Sequence, residues 1–77
     1  MTPEDAILAL LAERAEGATI CPSEAARRLV GPQGDWRAEM ERVHAATDAL
    51  LAAGAIRLSW KGAAKEKRRG PYRIARR

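Results

Sequence analysis

At 77 residues the chain is one domain with one small core, and at that size only about 60% of the unfolded surface can be buried, which leaves little room for an enclosed catalytic cleft. A content of 47% hydrophobic and 31% charged residues is globular rather than disordered, and an apolar set made mostly of Ala and Leu, with no Phe, favours helices over a β-sandwich. The net charge of +4 is split unevenly: residues 1–54 hold five Lys/Arg against nine acids, whereas residues 55–77 hold nine against Glu66 alone.

The single cysteine excludes an internal disulfide and fits a reducing compartment. The apolar run from Ala6 to Ala12 is preceded by Glu4 and Asp5, where a secretory signal needs cations. No stretch approaches the roughly 18 apolar residues of a membrane span. The expected location is the cytoplasm, with no membrane partner, and the chain from Met1 to Arg77 reads as a complete small protein.

Thr2-Pro3-Glu4-Asp5 predicts a helix start, with Thr2 as N-cap, proline in the first turn and acids at the positive end of the dipole. This first helix, over about 3–16, places Ile7, Leu8, Leu11 and Ala15 on one face with Leu10 on its flank, and Gly17 closes it. Residues 18–21 form a short β-like connector. Cys21-Pro22-Ser23-Glu24 has the layout of a capping box with Glu24 reaching back, although Ser23 is an alternative cap. The second helix runs over about 22–29 until Gly31-Pro32-Gln33-Gly34 breaks it. Asp35 caps a third, longer helix over 35–53 whose stripe is Trp36, Met40, Val43, Thr47 and Leu50.

Two strands follow, at 55–60 and 71–75, joined by a basic loop over 61–70. Alternation puts Ile56, Leu58 and Trp60 on one face with Tyr72 and Ile74, so the register is either Ile56 or Leu58 opposite Ile74. Helix, helix, long helix and hairpin is the order of a winged helix-turn-helix. The expected fold is therefore mainly α: three helices, a C-terminal two-stranded wing, and the 18–21 connector as a short third strand at the edge.

The stretch Thr19-Ile20-Cys21-Pro22-Ser23-Glu24-Ala25-Ala26-Arg27 carries a more specific likeness. So do Asp35-Trp36-Arg37, Met40, Val43, Ala53-Gly54-Ala55-Ile56, Lys61-Gly62 and Gly70-Pro71-Tyr72-Arg73-Ile74. Together these resemble a bacterial family of small domains of unknown function with a predicted winged-helix fold. The likeness spans nearly the whole chain; it implies the fold and brings no activity with it.

In a helix-turn-helix the third helix would enter the major groove. Its outward positions here are Arg37, Ala38, Glu41, Arg42, Ala45, Asp48, Ala49 and Ala52. Only Arg37 and Arg42 are evident donors, no Asn or Gln is present to read adenine, and Arg37 can pair with Glu41 four residues on. The wing is the better candidate. Lys61, Lys65, Lys67, Arg68 and Arg69 lie in or beside the loop, Arg57 and Arg73 on the outward strand face, and Arg76 and Arg77 on an unstructured basic end. Cations in that pattern gain from counterion release with little dependence on sequence. The bland alternative is a solvated hairpin kept soluble by its charge. Trp60 and Tyr72 could stack on unpaired bases, but aromatics facing the helices more often belong to the core.

Cys21 and His44 are the only thiol and imidazole. One of each does not build a zinc site, and Cys21 has a structural job as cap, so neither catalysis nor metal binding is expected. Gly31-Pro32-Gln33-Gly34 lacks the Lys-Ser/Thr of a phosphate-cradling loop. No enzyme activity, cofactor or small-molecule substrate is expected. The leading expectation is a nucleic-acid-binding winged helix, with duplex DNA favoured over RNA and a transcriptional regulator as one role. The alternative is a protein-interaction or adaptor module that uses the Ala-rich third helix, as a homodimer or with another protein.

Overall fold

The computed structural model describes residues 1–77 as three α-helices and a four-stranded antiparallel sheet. Helix α1 spans Pro3–Glu13. Thr2 Oγ1 accepts from the Asp5 N–H at 3.1 Å while the Asp5 carboxylate accepts from the Thr2 N–H at 3.0 Å. These bonds hold the Asp5 carboxyl below its ordinary range. The helix stops earlier than the expected residue 16: Arg14 is already extended, and Gly17 shapes the turn into β1 instead of capping the helix. The buried face also differs. It is Ala6, Ile7, Leu10 and Leu11, while Leu8 is 42% exposed and Ala15 faces solvent.

Strand β1 is the expected short connector, Thr19–Ile20. Cys21 then sits at the N-cap of α2, Pro22–Val30. The Glu24 carboxylate accepts from the Cys21 N–H at 2.7 Å, and Ser23 donates its hydroxyl to the Cys21 sulfur at 3.1 Å, which settles the cap in favour of Cys21.

The expected helix over 35–53 is two pieces: a 3₁₀ turn, Trp36–Glu39, and helix α3, Met40–Ala52. Asp35 caps the 3₁₀ turn, accepting from the Ala38 N–H at 3.3 Å. Val43, Ala46 and Thr47 are buried, and Trp36, Met40 and Leu50 pack only partly against the core.

Strand β2, Ile56–Trp60, is followed by β3, Ala63–Lys65, and the chain ends in β4, Arg73–Arg76. The expected two-stranded wing is therefore a larger sheet in the order β1-β4-β2-β3. Lys61 at φ 51° and Gly62 at φ 82° form a two-residue turn between Trp60 and its partner Ala63. Positive φ at both centres is the type I′ geometry whose twist suits a hairpin. Residues 66–72 then carry the chain back so that β4 lies between β1 and β2. The register is the second of the two expected, Leu58 opposite Ile74, with Ile20 on the other side of Ile74. Ile7, Leu11, Ile20, Val43, Ile56, Leu58 and Ile74 form the fully buried heart where the three helices meet one face of the sheet. No helix is long and apolar enough to cross a membrane.

Candidate nucleic-acid interface

The sheet's inner face is buried, so its outer face and the hairpin present the basic half of the chain to solvent. On the outer face Arg57 lies opposite Ala75, and Ser59 opposite both Arg73 and Ala64. Small neighbours leave a trough of about 240 Å³ lined by residues including Thr19, Arg57, Ser59, Gly62, Ala64 and Ala75. It shares Gly17 and Arg57 with a second concavity of about 510 Å³, lined by Glu16, Gly17, Arg57, Arg76 and Arg77. Arg76 belongs to β4, not to an unstructured tail, and its guanidinium donates to the Arg14 carbonyl at 3.3 Å.

The cations singled out in the sequence divide into two sets. Lys65 Nζ donates to the carbonyls of Arg69 and, at 3.1 Å, Pro71, clasping the return segment. Arg68 reaches back to α3 and grips Asp48 through two bonds of 3.1 Å, and that carboxylate holds the guanidinium charged to higher pH than usual. Half-buried Arg73 donates through Nε to Thr19 Oγ1 at 2.7 Å and through its terminal nitrogen to the Thr19 carbonyl at 3.2 Å, bracing β1 against β4. Arg57, Lys61, Lys67 and Arg69 are exposed and make no ion pair or side-chain hydrogen bond. Trp60, on the core side by alternation, is 38% exposed next to Lys61 at the tip.

On the third helix and the turn that leads into it all eight outward positions are exposed, and the two arginines are held differently. Arg42 pairs with Glu39 at 2.8 Å. Arg37 does not meet Glu41; its guanidinium lies 4.4 Å over the Trp36 ring. Arg27 lies 4.6 Å over the same ring, an arrangement the sequence reading did not contain.

Tyr72 is buried, as expected of a core aromatic, and anchors the return segment to α3. Buried Thr47 donates its hydroxyl to the Val43 carbonyl at 2.9 Å, and Tyr72 donates to Thr47 Oγ1 at 3.3 Å. The Tyr72 oxygen is then left to accept from His44 Nδ1–H across 2.7 Å, which fixes the imidazole tautomer. His44 is half-buried. Burial first, and then the nearby Arg68 charge, push its pKa below the ordinary value of 6.5. Burial likewise raises the Tyr72 phenol above 10.0. The imidazole is bonded to Tyr72 and the thiol to Ser23, so the two do not form a nucleophile–base pair.

A model of proteins of unknown function, DUF3253, matches residues 2–77. The chain belongs to the DUF3253 family. No curated protein matches it. In this DUF3253 member most of the cations without an ion pair lie on the sheet, its connecting segments and the C-terminal end. Arg76 is in register with Ile56 and shares the parity of Ile74, so alternation alone would set it on the core side, and its exposed place at the end of the sheet was not legible in the pattern. Arg27 had no signal either, because its partner Trp36 lies beyond a break in the helices.

Proposed function

We propose that this DUF3253 protein is a winged-helix domain that binds nucleic acid, with duplex DNA as the preferred form, by docking phosphates on its hairpin and outer sheet face. The carrying observation is the set of five exposed cations with neither an ion pair nor a side-chain hydrogen bond, Arg57, Lys61, Lys67, Arg69 and Arg77, on one sheet, its hairpin turn, the return segment and the C-terminal end. A folded surface of one sign repels itself, and a polyanion relieves that repulsion. Two further features support the reading. The side chains of Lys65, Arg68 and Arg73 brace the return segment and β1, so the free cations sit on a fixed frame. Helix α3 offers little to base edges, with Arg42 and Asp48 both in ion pairs, which favours contacts to the backbone over a base code. The protein is accordingly proposed to act in the cytoplasm, without a cofactor or catalytic step.

The test is fluorescence anisotropy of a labelled random duplex against the native chain and a Lys61→Ala/Lys67→Ala/Arg69→Ala variant. Each phosphate contact removed reduces both affinity and salt dependence, so the variant is expected to bind more weakly and with a flatter salt response. Equal binding by the two proteins, or none by either at low salt, overturns the reading. The absence of binding by either would direct attention to the exposed face of α3, where Ala38, Ala45, Ala49 and Ala52 are accessible to a protein partner.

A further inference from the structure

The helical half of the molecule contains five arginines: Arg14, Arg27, Arg28, Arg37 and Arg42. Three are in ion pairs, with Glu24, Glu13 and Glu39 at 2.6, 2.8 and 2.8 Å. The two that have no carboxylate are the two whose guanidiniums lie over the Trp36 ring, at 4.6 and 4.4 Å. The chain brings them together by a specific route. Arg27 stands in the last turn of α2, Gly31-Pro32 reverses the direction, and Trp36 opens the 3₁₀ turn against α2. The nearest acid in sequence, Asp35, is engaged with the Ala38 N–H.

A guanidinium stacked on an indole keeps its N–H edge free in its own plane, and stacking fixes where that plane points. Bidentate recognition of a phosphate needs that arrangement. Two such groups held on one ring without a carboxylate raise the local positive potential, which favours an anion nearby. Beside the ring is an open hollow of about 510 Å³ lined by Arg27, Arg28, Gly31, Pro32 and Trp36. The Arg28 charge there is balanced by Glu13 through two bonds of 2.9 and 2.8 Å, which leaves Arg27 as the uncompensated guanidinium of the hollow, while Arg37 lies over the same ring outside the hollow's lining.

We propose that this hollow is a phosphate-binding site, separate from the sheet and hairpin, with Arg27 as its donor, Trp36 as the platform that orients it and Arg37 adding positive charge on the same ring. The phosphate belongs either to a nucleic-acid backbone, giving the domain a second anchor, or to a small phosphorylated molecule. The site does not depend on the hairpin's own binding.

The chain has two tryptophans, so a Trp60→Phe protein reports on Trp36 alone. Its emission is followed during titration with inorganic pyrophosphate and, separately, with a short duplex DNA, at ionic strength held constant with sodium chloride. The expected result is a saturable change with at least one probe. Saturation by pyrophosphate alone assigns a small phosphorylated ligand, and saturation by duplex assigns the backbone. An Arg27→Lys version keeps the charge but loses the planar fork, and its midpoint is expected to rise roughly tenfold or more, with its circular dichroism melt confirming that it folds. A Lys67→Ala/Arg69→Ala version is expected to keep the pyrophosphate response, so failure of the hairpin to bind DNA leaves this test intact. No saturable response to either probe, or an unchanged midpoint in the Arg27→Lys variant, overturns the proposal.

Discussion

Four cations within five residues, Lys65, Lys67, Arg68 and Arg69, look alike in a charge count and differ in what they hold. Lys65 and Arg68 are tied to loop carbonyls and to Asp48, whereas Lys67 and Arg69 are free. Surface ion pairs add little to stability, so the consequence of Arg68–Asp48 is positional: it fixes the return segment on α3. Substituting Lys67 or Arg69 with Ala is expected to leave the melting temperature unchanged and to lower the magnitude of the log–log salt slope for duplex binding by about 0.9 each. Lys65→Ala is expected to lower the melting temperature as well, because two carbonyls lose their donor. A thermal melt and a salt titration on each variant separate the two roles.

The His44–Tyr72–Thr47 chain gives a second pair of residue-level expectations. Tyr72→Phe leaves the His44 Nδ1–H without its partner and Thr47 Oγ1 without its donor, and should cost about 1–2 kcal/mol in urea unfolding. The His44 pKa is depressed in the folded state, so below the unfolded value near 6.5 the unfolded chain binds more protons. The contribution is fully present above that value and is lost as pH falls through the folded pKa. The urea midpoint should therefore decline between about pH 7 and pH 5, and His44→Gln should decline less over the same interval. An equal decline in both proteins contradicts this assignment.

At the scale of elements, the strands with β-branched and aromatic residues were legible, and the one without them was not. Ile56, Leu58, Tyr72 and Ile74 fix the core face and narrow the register to two choices, of which packing against Ile20 accompanies Leu58 opposite Ile74. Ala63-Ala64-Lys65 has no β-forming side chain; β3 exists because Lys61-Gly62 turns the chain back onto β2. The third helix was legible in its stripe but not in its break. Gly34 governs the approach to the 3₁₀ turn rather than the break after Glu39. A Cβ there would stand 2.4 Å from Val30 Cβ and 2.6 Å from its carbonyl oxygen, so the chain runs hard against the end of α2 before Trp36 can start a new turn. Gly34→Ala should destabilise by about 1–3 kcal/mol, since backbone must move to relieve the contact. Ile74→Ala should cost about 2–5 kcal/mol, because Ile74 is fully buried in the strand that joins β1 to β2. Urea unfolding of each variant checks both values.

At the scale of the whole molecule, the charge asymmetry was visible in the sequence and the division of labour among the charges was not. Composition cannot tell a cation bonded to a carbonyl from one facing solvent, since the difference lies in contacts such as Arg73 with Thr19, 54 residues apart. The candidate site accordingly shifted from the whole loop to its unpaired members, and Arg76 moved from an expected unstructured end into β4. The two ends of the basic surface, the hairpin tip at Lys61 and the concavity at Arg76 and Arg77, belong to one sheet, so a single phosphate backbone lying across it would meet both. Five contacts from Arg57, Lys61, Lys67, Arg69 and Arg77 correspond to a slope of about −4.5 on duplex DNA.

The salt dependence of duplex binding by the native chain tests that account most directly. A plot of log association constant against log salt concentration should be linear with a slope near the value of about −4.5 given by five phosphate contacts. Binding that persists with a slope near zero would contradict phosphate docking and place the interaction on an apolar or protein-recognising face instead.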